Sequence, residues 1–232
     1  VSTTKPPTFA AVLVMAGSGE RLGAGVPKAF ARLGGRPMWR HAAETFASIP
    51  ECRVVALVAP ADRVDEAARA APRAVVVAGG ARRQDSVRLG LAAVPADVEI
   101  VAIHDAARPF VRAETILAAV AAAARDGASL VAAPARDTVK RVVDGRVVET
   151  LDRSELWLAQ TPQCFRLDVI RDAHAVAQRE GWDVTDDCAL LERLGRGVSV
   201  VRGDAWNFKI TDPHDLAAAE SLVAKRKPES AM

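Results

Sequence analysis

The feature that most constrains this chain is an alternation. Short, largely apolar runs rich in Val, Ile and Ala recur at 10–15, 53–58, 74–78, 99–104, 129–133 and 198–201. Between them lie stretches with helical spacing, near 38–47, 61–70, 85–94, 113–125, 167–180, 185–194 and 212–224. A strand with no polar face must be covered on both sides, and helices packed on the two faces of a mostly parallel sheet supply that cover. The expected fold is therefore α/β and doubly wound, with ligand chemistry at the carboxyl ends of the strands. A length of 232 residues fits one such domain, and no repeat, linker or low-complexity tract divides it.

One segment breaks the pattern. Residues 137–153 form two β-rich runs around Asp144-Gly145, and Asp-Gly between such runs predicts a hairpin closed by a type I′ turn. The hairpin carries Val139, Val142, Val143, Val147, Val148 and Leu151. A lone two-stranded hairpin is marginal in water, so these side chains need cover, from their own domain or from a second subunit. An arm at about 135–154 inserted in the domain is the expectation.

Composition narrows the partners. A formal charge of +2 lacks the basic excess of a nucleic-acid-binding domain. Cys52, Cys164 and Cys188 are widely spaced and odd in number, and the four histidines have no metal-ligand spacing. Buried thiols in a reducing cytosol are the expected state. The start of the chain is polar with two prolines, and the Ala-rich stretch after Ile116 is interrupted by Arg125 and Asp126. No leader and no membrane span is read from it, and the expected location is cytoplasmic.

The first strand runs into Met15-Ala-Gly-Ser-Gly-Glu-Arg-Leu-Gly-Ala-Gly-Val-Pro-Lys28. Glycines at a strand–loop junction let backbone N–H groups approach a phosphate. Two phosphate-loop families do not fit. Leu22 stands where a dinucleotide fingerprint needs its third glycine, and the second strand ends at Ala59-Pro60 with no acid for a ribose. Lys28 is followed by Ala29, not by the Ser or Thr of a P-loop. What remains, G-x-G-x-R, five residues and Pro-Lys, resembles the signature of sugar-nucleotide and related nucleotidyltransferases. Arg21 and Lys28 flank the turn, where two cations can converge on a triphosphate gaining charge in the transition state.

Further segments fall near predicted strand ends: Gly79-Gly-Ala-Arg-Arg-Gln-Asp-Ser-Val87, His104-Asp-Ala-Ala-Arg-Pro109, Ala133-Pro-Ala-Arg-Asp-Thr-Val-Lys140, Gln160-Thr-Pro-Gln163 and Asn207-Phe-Lys-Ile-Thr211. With the glycine loop they resemble the 2-C-methyl-D-erythritol 4-phosphate cytidylyltransferase family, from about Phe9 to about Leu222. The resemblance implies a Rossmann-like nucleotidyltransferase that takes CTP, a sugar-alcohol phosphate and Mg²⁺, as a homodimer exchanging its arms. It assigns Arg21 and Lys28 to the transition state. It places Met15, Ala16, Gly17, Gly19, Gly80, Ala81, Ser86 and Asp105 at CTP, with Asp105 also toward the metal, directly or through water. Arg108, Thr138, Arg153 and Lys209 are assigned to the acceptor phosphate.

Plainer roles compete with these. Ser86 could cap its helix, Asp105 could cap the turn after its strand, and Arg108 and Arg153 could be surface ion-pair partners. Thr185-Asp186-Asp187 is read as a helix N-cap with no catalytic role. Lys209 lies in an apolar run and requires an anionic partner, which a phosphate would supply. Val14-Met15 stands where many relatives have Pro-Ala, and Ala81 where some have Asp. Two alternatives stay open: a ribitol-5-phosphate cytidylyltransferase, disfavoured by Ala106-Ala-Arg-Pro109 and by the segment 152–157, and a non-catalytic nucleotide-binding subunit, disfavoured by the Arg21 and Lys28 pair.

Overall fold

A computed structural model describes residues 7–17 and 26–226. In chain order β1 (Phe9–Val14) is followed by a small hairpin, β2 (Arg32–Leu33) and β3 (Arg36–Pro37), then α1 (Met38–Ala47) and β4 (Cys52–Ala59). Next come α2 (Val64–Ala70), β5 (Val75–Ala78), α3 (Arg83–Ala92), β6 (Ile100–Asp105), α4 (Ala113–Asp126) and β7 (Ala128–Pro134). The arm strands β8 (Lys140–Val143) and β9 (Arg146–Thr150) precede β10 (Trp157–Arg166), α5 (Leu167–Arg179), α6 (Cys188–Arg193), β11 (Ser199–Arg202) and α7 (Pro213–Arg226).

The central sheet has seven strands in the order β11-β7-β10-β6-β1-β4-β5. Parallel pairing joins β1 to β4 and β6, β4 to β5, and β7 to β11. The expected mostly parallel, doubly wound sheet is present. Along β1 the pleat divides the side chains cleanly. Phe9, Ala11 and Leu13 pack with α1 and α4 through Trp39, Phe46, Ile116 and Val120. Ala10 and Val12 pack on the opposite face with Val87 and Leu91 of α3, Ile170 of α5 and Leu191 of α6. A third, smaller cluster seats α7 against Leu33, Met38 and Phe110.

The sequence did not announce β10. It runs antiparallel to both β6 and β7. Pro162 argues against a central strand, because it has no N–H for the ladder. The structure accommodates it in a break: the ladder to β7 skips from Ala159 to Gln163, so residues 160–162 stand opposite Val131 alone. The Thr161–Pro162 bond is cis. The β2–β3 hairpin was also missed. Its turn is Gly34-Gly35, with φ of 60° and 84°, values that glycine adopts without strain.

The arm is a separate two-stranded sheet. Asp144 and Gly145 have φ of 47° and 74°, as the expected type I′ turn requires. Every residue of β8 and β9 is exposed, so the described chain does not cover its own valines; Val147 is 62% exposed. At the arm's base Leu158 of β10 is 60% exposed. Cys164 and Cys188 are buried, Cys52 is partly so, and all three are free thiols. Burial pushes the Cys52 thiol up to about 12. Among the described residues no helix is long and apolar enough to cross a membrane.

Candidate active site

Strand order reverses between β1 and β6: the chain moves outward from β1 to β4 and β5, then returns to lay β6 on β1's other side. At such a switch point the loops leaving neighbouring strands diverge and open a crevice. Val14 and Asp105 are register partners at this point. The Met15 N–H donates to the Val58 carbonyl, the Gly79 N–H to that of Ala59, and the Ala106 N–H to that of Val14. The ends of four strands are thereby tied together under a cleft of about 400 Å³, within the range of small-molecule sites.

Val14, Met15, Ala16, Gly17, Gly80 and Ser86 line the cleft, and Lys28, Arg82, Arg83 and Lys209 bring cations to it; Asp105 is the one carboxylate among its described lining residues. Expected residues Met15, Ala16, Gly17, Lys28, Gly80, Ala81, Ser86, Asp105 and Lys209 are therefore brought together. Gly19 and Arg21 lie outside the described residues. Met15 is buried with its side chain in the core beside Leu13 and Phe30. It therefore belongs to the core and to the cleft lining at once.

Ser86 is not a helix cap. The N-cap position of α3 is Arg82, and Ser86 lies inside the helix with its Oγ accepting from the Gly80 N–H at 3.1 Å. Its hydroxyl thus folds the Gly79-Gly80 turn back onto α3. A Cβ at Gly79 would collide with Ala16 and lie 2.9 Å from Ser86 Oγ, so only glycine fits. Lys28 opens a short 3-10 helix (Lys28–Phe30) anchored by buried Ala29 and Phe30.

Asp105 does not use its side chain as a turn cap either. Its Oδ2 accepts from Lys209 Nζ at 2.7 Å and its Oδ1 from Arg83 Nε at 3.2 Å. Burial favours the neutral acid, but the Arg83 guanidinium and then the Lys209 ammonium outweigh it, holding the carboxyl well below its usual range. The anionic partner required for Lys209 is therefore this carboxylate.

Beneath Asp105 lies a neutral relay. Its N–H donates to Thr161 Oγ1 at 3.1 Å, and that hydroxyl lies 3.0 Å from His104 Nδ1. The His104 Nε2 lies 3.1 Å from the Arg108 carbonyl. For a neutral ring one assignment satisfies all three: Thr161 donates to Nδ1, and Nε2–H donates to the carbonyl. Burial lowers His104 to about 4, in keeping with a neutral ring. Arg108 Nη1 and Nη2 donate to the carbonyls of Asn207 and Ala159 at 2.9 and 3.3 Å. Those acceptors hold the guanidinium without cancelling its charge. Burial lowers its pKa, partly offset by Asp105.

Thr138 and Arg153 are elsewhere. Both are exposed on the arm, outside the cleft lining, and Arg153 Nη1 donates to the Arg136 carbonyl at 2.8 Å. Thr185-Asp186-Asp187 does cap α6, whose N-cap position is Asp187. Asp186 accepts from the Ala189 N–H at 3.0 Å, as a cap would. Asp187 is a buried carboxylate bound by Arg83 Nη1 at 2.8 Å and lying 3.2 Å from His174 Nε2. Arg83 was missed altogether. The only sequence signal was the Arg82-Arg83 pair after the glycine turn, where one cation serves Asp85 and the other turns inward.

Known proteins place this geometry. The family model for 2-C-methyl-D-erythritol 4-phosphate cytidylyltransferase matches residues 9–225. The enzyme of that name from Halalkalibacterium halodurans is 42% identical over 94% of this chain and 98% of its own length. A solved 4-diphosphocytidyl-2C-methyl-D-erythritol synthase from Anaerococcus prevotii superposes with a TM-score of 0.83 at 29% identity, covering 95% of this chain and all of that one. A solved 2-C-methyl-D-erythritol 4-phosphate cytidylyltransferase from Thermus thermophilus gives 0.78 at 34% identity, covering 92% and 98%. With sequence and fold both matched from end to end of the relatives, the chain belongs to the 2-C-methyl-D-erythritol 4-phosphate cytidylyltransferase family.

Proposed function

We propose that the chain transfers CMP from CTP to 2-C-methyl-D-erythritol 4-phosphate, giving 4-diphosphocytidyl-2-C-methyl-D-erythritol and pyrophosphate in non-mevalonate isoprenoid synthesis. The observation that carries this is the cation-rimmed cleft at the β1–β6 switch point, in a chain of this family. An oxygen of the acceptor phosphate forms a bond to the α-phosphorus as the bond to the departing pyrophosphate breaks. The second pKa of a phosphate monoester is about 6, so the attacking oxygen is already ionised at neutral pH and no base has to remove a proton. What remains for the protein is positioning and charge neutralisation.

Arg21 and Lys28 take the transition-state charge in this reading. Backbone groups at Met15, Ala16, Gly17, Gly19, Gly80 and Ala81, with Ser86, hold the nucleotide and read its base. Arg108 and Lys209 receive the acceptor phosphate, with Thr138 and Arg153 reaching it from the arm of a second subunit. Support for the exchange comes from the exposed arm valines and from Leu158 at its base, a patch of the kind that marks an interface. A single sheet built from strands on both sides of the arm supports one domain over 1–232 with the arm inserted at about 135–154.

Asp105 would hold Mg²⁺, directly or through water. The fit is to a metal carried in by phosphate: no cluster of three metal-binding side chains exists among the described residues, but a hard carboxylate lines the cleft. Mg²⁺ commonly needs no more protein than that, and it would neutralise the triphosphate. A cytoplasmic location, with no nucleic-acid or membrane partner, completes the reading.

Pyrophosphate release from CTP tests it. Methylerythritol phosphate should support turnover and ribitol 5-phosphate hardly any. The reverse preference overturns the acceptor; no release with either favours a non-catalytic subunit.

A further inference from the structure

Arg83 begins α3, where the glycine turn ends, and its guanidinium spans carboxylates from two distant parts of the chain. Nε donates to Asp105 Oδ1 at 3.2 Å and Nη1 to Asp187 Oδ2 at 2.8 Å. Asp187, at the foot of α6, is itself fixed: its side chain is 1% exposed, its Oδ1 lies 3.2 Å from His174 Nε2, and its N–H donates to Gln163 Oε1 at 3.0 Å. The second Asp105 oxygen accepts from Lys209. The result is an alternating row, Asp187, Arg83, Asp105, Lys209, running from a rigid buried anchor to the cleft.

A carboxylate held on both oxygens cannot turn about its side-chain bonds, whereas one held on a single oxygen can. Lysine is a point charge on a flexible four-carbon stem, so the position of its ammonium group follows that of its partner. Only a planar fork can bridge two carboxylates in fixed directions.

We propose that Arg83 is a positioning residue for nucleotidyl transfer: by clamping Asp105 to the buried Asp187, it sets the direction in which Lys209 presents its ammonium group to the cleft. This rests on the function proposed above.

The test compares the full-length wild type with Arg83→Lys, Arg83→Gln and the double variant Arg83→Gln/Asp187→Asn. Pyrophosphate release gives kcat and KM, and calorimetry gives Kd for CTP with Mg²⁺. Arg83→Lys keeps the charge and loses the fork, so Kd should stay within about threefold while kcat falls about 10–100-fold, the scale of losing a partner that orients a working group. The double variant removes the buried anion together with its partner, so folding is preserved if Arg83→Gln alone misfolds. It should show the same loss in kcat. Wild-type kcat in Arg83→Lys or in the double variant overturns the inference, as does a Kd for CTP that weakens in step with kcat. A wild type inert toward methylerythritol phosphate overturns the proposed function and this inference with it; variants matching an active wild type overturn only the inference.

Discussion

Lys209 Nζ lies 2.7 Å from Asp105 Oδ2, although 104 residues separate them along the chain. One sits at the end of β6 and the other just before α7, so this contact draws the last part of the chain onto the switch-point cleft. Lys209→Met keeps the stem and removes the charge. Asp105 retains Arg83, so the fold should hold while kcat falls by about 10² and KM for the acceptor rises. Steady-state kinetics check this, and a variant within twofold of wild type would separate Lys209 from the reaction.

Lys28 lines the cleft, and Arg21 belongs to the same glycine loop. Lys28→Ala and Arg21→Ala should each lower kcat by about 10²–10³. Thermal unfolding of Lys28→Ala should move little, since Lys28 lines the cleft. Retention of kcat by either variant would remove that residue from the transition state.

Two glycines separate site from scaffold. A Cβ at Gly79 would strike Ala16 and Ser86, both at the cleft, so Gly79→Ala should lower kcat/KM for CTP by about 10², the scale of a displacement near 1 Å. At Gly90 in α3 a Cβ would come within 2.5 Å of Val12 and 2.7 Å of Val58, both in the sheet core. Gly90→Ala should therefore cost about 2 kcal/mol of stability by overpacking, even after its helix-propensity gain. Urea unfolding alongside kinetics distinguishes the two; equal effects on stability would contradict the division.

His104 gives a pH dependence with a definite sign. Burial lowers it to about 4 from 6.5, so between those values the unfolded chain binds a proton that the folded chain refuses. Stability must then fall as pH drops through that window, by roughly 3 kcal/mol in total, with part-buried His41, also lowered, acting in the same direction. Asp105 and Asp187, both held below the usual 3.8, add losses only at lower pH. Urea midpoints between pH 7 and 4.5 should decline in the wild type and decline less in His104→Gln, which keeps a neutral donor and acceptor. An identical slope in both proteins would refute the assignment.

The arm exchange is testable by complementation. Lys28→Ala and Arg153→Ala homodimers should each be nearly inactive. Mixed dimers formed by co-refolding would hold one doubly altered site and one intact site. Random pairing then restores about a quarter of all sites. No recovery, with mixed dimers confirmed, would place Arg153 in its own subunit's site.

What the sequence made legible depended on whether a residue's role was local. Apolar runs marked the parallel strands, and Asp144-Gly145 marked the arm, because each signal is contained in a few adjacent positions. The glycine turn was readable from its own residues, and the place of Asp105 at the cleft came from the family resemblance. β10 was not, since Pro162 and its polar neighbours look wrong for a central strand until the break opposite Val131 is seen. Arg83, Asp187 and the Thr161–His104 pair were also hidden. The Arg83–Asp105, Thr161–His104 and Arg83–Asp187 contacts span 22, 57 and 104 residues, and no local pattern records a contact at such range.

The placement of β10 also fixes an order of assembly. β5, β4, β1 and β6 adjoin one another using only the chain up to Asp105. β7 follows in sequence but has no neighbour in that block, and must wait for β10 to bridge it to β6. A chain emerging from the ribosome can thus pair these four strands early, with the glycine turn and Asp105 among them. The half that carries Asp187 and Lys209 can dock only after synthesis has passed Arg166, so a growing chain displays the glycine turn long before it can own a complete catalytic centre.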